Sequence, residues 1–164
     1  MKRVKPTPGH QPILTKGFGT RGQVDLIDFQ SIKDGEFKFL LNYIDHGLKM
    51  VFSIPIVAKR ASTIALALFQ LFTVIGPPAI LQSDNGKEFH LIAIRAKAHS
   101  MIDDELLLNI IQEIKQLWPD CRMVKGAPRY SPSNGGVERI NLTVEQKLAK
   151  WMADNKSQRW SIAC

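Results

Sequence analysis

The sequence predicts an α/β domain built on a five-stranded mixed sheet, three antiparallel strands followed by parallel additions, with helices flanking it. Three observations lead there. Between Gln23 and Ile56 three short runs rich in β-branched and aromatic residues are separated only by short polar turns, the pattern of an antiparallel meander. A long apolar helix then connects the third run to a short apolar run at Ala79, and a crossover of that kind makes the two strands parallel within one sheet. After it come a helical pattern, a short strand and a second helical pattern.

Taken in order, residues 1–21 carry Lys2, Arg3, Lys5, Lys16 and Arg21 among Pro6, Pro8 and Pro12, the composition of a basic, extended arm. The folded domain is expected over residues 22–164. The first strand is read at Gln23 to Phe29. Because strand side chains alternate between faces, Asp25 shares a face with Ile27 and Phe29, whereas Asp28 shares the other with Val24 and Leu26. A carboxylate among apolar strand residues needs a cation, a metal or a proton. Residue chemistry alone leaves the choice between these two aspartates open. The second strand is read at Phe37 to Ile44. Asp45-His46-Gly47 forms a turn, with a smaller expectation of a catalytic pair, and a third strand covers Lys49 to Ile56.

Ala58 to Ile75 reads as a helix starting near Ser62 or Thr63, stopped by Gly76-Pro77-Pro78, and so apolar that it is expected to be covered on most sides. Ala79-Ile80-Leu81 is a buried strand that breaks into Ser83-Asp84-Asn85-Gly86, which puts Asp84 at a strand tip, where α/β sheets collect ligands. Residues 90–101 have no clean period. Asp103 to Trp118 is amphipathic and helical, Arg122-Met123-Val124 is a short strand, and Lys125 to Gly136 reads as a mobile glycine-rich loop. The last helix is expected over Val137 to Asn155, striped by Val137, Ile140, Val144 and Leu148, with Glu138 in its first turn.

The balance of 22 Lys+Arg against 15 Asp+Glu gives a formal charge of +7, which favours a polyanionic partner. Cys121 and Cys164 lie far apart without a C-x-x-C pair or a secretory leader, so free thiols in a reducing compartment are expected. No stretch reaches the roughly 20 apolar residues of a membrane span.

The order of elements, with an Asp in the first strand, an Asp after the fourth and a Glu near the start of the last helix, resembles the catalytic core of retroviral-type integrases, an RNase H-like fold. Gln23-Val24-Asp25 is similar to the first acidic motif, Ser83-Asp84-Asn85-Gly86-Lys87-Glu88-Phe89 to the second, and Ser133-Asn134-Gly135-Gly136-Val137-Glu138-Arg139-Ile140-Asn141 to the third. Leu117-Trp118-Pro119 and Gly126-Ala127-Pro128-Arg129 bring the likeness nearest to cellular integrase-like proteins of transposon origin. It covers Arg21 to the C-terminus and corresponds to the core alone, without the flanking domains of integrases.

The resemblance implies that Asp25, Asp84 and Glu138 are catalytic residues and ligands of Mg²⁺ or Mn²⁺, and it decides for Asp25 over Asp28. It makes Asn85, Lys87, Arg129, Arg139 and Asn141 candidates for supporting that site or touching nucleic acid. It further implies DNA as partner, a homodimer, and a nuclear location. Hard oxygen ligands suit Mg²⁺ or Mn²⁺. Clustered carboxylates need such cations, since two of them about 4 Å apart repel by roughly 4 kcal/mol at an effective dielectric of about 20. The expected activity is cleavage and strand transfer of DNA phosphodiesters. The alternatives are a domesticated, catalytically silent module that binds nucleic acid or protein, and a nuclease acting on RNA in hybrids. Four departures from the family stand out. The Asp84 to Glu138 interval is longer, with its excess at residues 90–101. Tyr130-Ser131-Pro132 replaces the common His-Pro-Gln, Leu142 and Glu145 occupy helix positions that often carry basic DNA contacts, and the flanking modules are not read.

Overall fold

The computed structural model describes residues 17–83, 113–125 and 131–164. Its sheet is formed by β1 (Arg21–Asp28), β2 (Phe39–Asp45), β3 (Val51–Ile56), β4 (Ile80–Ser83) and β5 (Arg122–Lys125), in the spatial order β3-β2-β1-β4-β5. β1, β2 and β3 pair antiparallel as the short turns demand, and β4 and β5 are added in parallel. β3 and β4 run in the same direction, as the crossover helix between them requires, but β4 lies against β1. β1 is thereby the central strand, covered on both edges.

The two faces of β1 are used differently, in accordance with the period of two along a strand. Val24, with Leu41 and Tyr43 of β2, faces α1 (Ala61–Ile75), whose Ile64, Ala65, Leu68 and Phe72 complete the larger core. Residues 113–117, helical and labelled α2 here, and Trp118 close this layer. Phe72 meets Tyr43 and Trp118 edge to face at 5.6 and 5.9 Å. The opposite face carries Ile27, Phe29 and Leu40 against Leu148 of α3 (Ser131–Asp154) and against Trp160. Each buried Leu, Ile or Phe contributes roughly 1.5–3 kcal/mol by leaving water, so both layers are needed to hold β1 from two sides.

Several expectations need correction. α1 starts at Ala61 behind Arg60, which forms no side-chain cap, so Ser62 and Thr63 lie inside the helix. Nor is α1 covered on most sides: Val74 is 83% exposed and Leu66 39%, because a helix on one face of a sheet buries a single stripe. Its end is as expected, with Gly76 at φ 77° donating its N–H to the Phe72 carbonyl at 2.9 Å. The expected loop Lys125 to Gly136 is also shorter, since β5 includes Lys125 and α3 begins at Ser131. Pro132 suits a first helical turn, where the missing N–H costs nothing, and Gly135 and Gly136 each cost only about 1 kcal/mol inside a helix. Glu138 therefore stands well inside α3, and the first turn of that helix contains no acidic residue.

The chain's last described segment folds back on the sheet. Trp160 is fully buried, stacks on Phe29 with ring centroids 4.7 Å apart and donates its indole N–H to the Ile32 carbonyl at 2.8 Å. Asp34 accepts from the backbone N–H of Ser161 at 3.0 Å and from its hydroxyl at 2.5 Å. Among the described residues no helix is long and apolar enough to cross a membrane.

Candidate active site

Asp25 lies on the face of β1 that looks toward α3, as the alternation predicts. Its Cα partner in β2 is Asn42, and the partner of Asn42 in β3 is Ser53, so three polar residues form one row across three strands. Above the row sits Asn141 of α3. The Asn141 side-chain amide donates to Oδ2 of Asp25 at 2.5 Å, and its carbonyl accepts from the Asn42 amide at 2.9 Å. The Asn42 carbonyl accepts from the Ser53 hydroxyl at 2.7 Å. Oδ1 of Asp25 takes the backbone N–H of Leu26 at 2.9 Å. Both carboxylate oxygens are thus held by N–H donors, and the side chain is fixed in orientation.

Glu138 is exposed and precedes Asn141 by three residues on α3. Residues so spaced on a helix are neighbours, about 5–6 Å apart at Cβ. The bond between Asn141 and Asp25 therefore brings the turn bearing Glu138 onto the strand bearing Asp25. On the other side of β1, Ser83 ends β4 in register with Val24, the residue before Asp25. Asp84, Asn85, Lys87 and Arg129 lie outside the described residues. Arg139 is on the exposed surface of α3. Among the described residues no group of three or more His, Cys, Asp or Glu side chains is gathered as a metal cluster. The donor chemistry of the two described carboxylates nevertheless fits a hard divalent cation: oxygen ligands, one of them oriented by N–H donors.

The other candidates have separate duties. Asp28 is on the opposite face and exposed. It accepts from the Gln30 backbone N–H and side-chain amide, both at 2.9 Å, and these bonds hold its carboxyl below the usual range. Asp45 and His46 are each tied to other groups around the turn. The buried Asp45 carboxylate takes the N–H groups of Gly19 and Leu48 at 2.9 and 2.8 Å, which shapes the turn after β2. The His46 ring meets the Gln23 side chain at 3.1 Å, and burial lowers its pKa. The sequence reading missed Asn42 and Ser53. Their only signal is a single polar residue inside each of two otherwise apolar strands, which does not reveal the partner helix.

No family model matches the chain. Human KRAB-A domain-containing protein 2 is 32% identical over 151 residues, which is 92% of this chain and 27% of that protein. The chain thus spans about a quarter of that relative's length. The catalytic core domain of BIV integrase superposes with a TM-score of 0.60 at 21% identity, over 88% of this chain and 79% of that one. The HTLV-2 integrase catalytic core domain in complex with magnesium, in its dimeric form, gives 0.57 at 18% identity, over 85% and 76%. The mixed sheet with flanking helices and these likenesses establish that the chain has the RNase H-like fold of the retroviral integrase catalytic core and a cellular relative in KRAB-A domain-containing protein 2.

Proposed function

We propose that the chain is an integrase-type core that acts on DNA in the nucleus as a homodimer, cleaving and joining phosphodiesters with Mg²⁺ or Mn²⁺ held by Asp25, Asp84 and Glu138. The observation that carries this reading is the 2.5 Å bond from Asn141 to Asp25, which draws the Glu138 turn of α3 to the central strand. The magnesium in the similar HTLV-2 core supports the choice of ion, and its dimeric form supports the homodimer. A formal charge of +7 supports a polyanionic substrate.

When bound, two divalent ions supply Lewis-acid chemistry at phosphorus, favouring both the attacking and the leaving oxygen of an in-line displacement. The protein's part is to hold and orient. Asp25 offers a carboxylate fixed from two directions, Glu138 offers one on a rigid helix, and Asp84 follows directly on Ser83 at the end of β4. Asn141 keeps Asp25 in the rotamer that faces α3. Arg129, Lys87 and Arg139 are assigned to the phosphate backbone, where Lys and Arg contribute affinity without reading sequence. The basic arm at residues 1–21 adds to that attraction.

The test is nicking and strand transfer on labelled DNA with Mg²⁺ or Mn²⁺. Activity in the wild type and its loss in Asp84→Asn support the reading; activity retained in that variant overturns it.

A further inference from the structure

Asn42 is fully buried in the middle of β2, bonded to Asn141 of α3 on one side and to Ser53 of β3 on the other. A buried amide is costly unless its donors and acceptor are paired, and here the pairing has a direction. A carboxylate only accepts, so Asn141 must turn its NH₂ toward Asp25 and its carbonyl toward Asn42. Asn42 must then present NH₂ to Asn141 and its carbonyl to Ser53, whose hydroxyl donates. All three bonds point the same way, from β3 through β2 and α3 to β1. Each donor in such a chain polarises the next and strengthens it.

We propose that Asn42 and Ser53 are positioning residues for the site: they hold the Asn141 amide in the one orientation that donates to Asp25, and so set the carboxylate that meets the metal. This rests on the metal-binding reading above. Without Asn42 the Asn141 side chain is free to rotate, and Asp25 loses its oriented donor although no ligand has been removed. Partners behind a metal ligand commonly change affinity about 10–100-fold when lost.

The test uses the full chain, with Mn²⁺ binding followed by calorimetry and the Asn141 side-chain amide followed by NMR. Asn42→Ala is expected to weaken Mn²⁺ binding about 10-fold and to move the Asn141 amide signals. Ser53→Ala is expected to do both to a smaller degree, and Ser53→Thr, which keeps the hydroxyl, to restore the wild-type values. Should Asn42→Ala not fold, the milder change Ser53→Ala, at a half-buried position, decides. Folded Ser53→Ala with unmoved Asn141 signals and wild-type Mn²⁺ affinity overturns the proposal. If the wild type takes up no Mn²⁺, the metal reading fails separately, and the amide signals still decide the relay: movement in Ser53→Ala with recovery in Ser53→Thr upholds it, and no movement overturns it.

Discussion

Asn141 of α3 donates its amide to the carboxylate of Asp25 in β1 at 2.5 Å across 116 residues of sequence. This bond fastens the last long helix to the central strand by a polar contact beside an otherwise apolar layer. Replacing Asn141 by Ala removes the donor to Asp25 and the acceptor of Asn42 together. Hydrogen bonds to charged groups contribute about 1.5–3 kcal/mol, so urea unfolding is expected to show a loss of about 2 kcal/mol. A stability equal to the wild type would mean that α3 is held by its apolar stripe alone.

A second prediction concerns β1 and β2 at their far end. A Cβ on Gly22 would lie 2.3 Å from Cε2 of Tyr43, so glycine is required there by the ring packed over it. Gly22→Ala is expected to destabilise by about 1–3 kcal/mol through overpacking. Tyr43 is fully buried, and its hydroxyl has no partner among the described residues. Burial accordingly pushes its phenol pKa up. Tyr43→Phe is expected to leave stability unchanged or raise it by up to about 1 kcal/mol, read from the urea midpoint.

The closing segment supplies a pH-dependent prediction. The donors of Ser161 hold the Asp34 carboxyl below its usual range. A depressed carboxyl contributes stability that is complete above its unfolded value, near pH 4, and is lost as pH falls through the folded value. Asp34→Asn is expected to be less stable at neutral pH and to lose less than the wild type below pH 4. Parallel stability curves for the two proteins would contradict this. The partly screened contact to Arg159, at 3.8 Å with that side chain 68% exposed, contributes little.

Packing under the same segment is tested by Trp160→Ala. The side chain fills the space between Phe29, Phe37 and the end of α3, and its loss is expected to cost about 3–5 kcal/mol by thermal or urea unfolding. Leu68→Ala in the opposite layer is expected to cost about 2–5 kcal/mol, whereas the exposed Val74→Lys is expected to fall within about 0.5 kcal/mol of wild type.

Much of the fold was legible because its signals are local. Alternation placed Asp25 and Asp28 on opposite faces, and the apolar crossover gave β4 its direction. That β4 lies against β1 was not legible, because strand adjacency is decided by tertiary packing. The start of α3 differs from the sequence expectation for a physical reason: Pro132, Gly135 and Gly136 have loop propensities, yet such propensities are weak and a proline in a first helical turn costs little. Within the site, Asp25 and Asn141 were picked out, while Asn42 and Ser53 were not. An Asn within Leu-Leu-Asn-Tyr carries no local sign of the helix residue that it bonds. The expectations on Asp84, Asn85, Lys87, Arg129 and residues 90–101 fall outside the described residues.

Asp25, Asp84 and Glu138 are proposed to hold divalent metal jointly. Calorimetric titration of Mn²⁺ into the wild type, Asp25→Asn, Asp84→Asn and Glu138→Gln tests this most directly. Saturable binding in the wild type, weakened at least about tenfold in each variant with the fold intact, is the predicted result. Wild-type affinity in Asp25→Asn would contradict it.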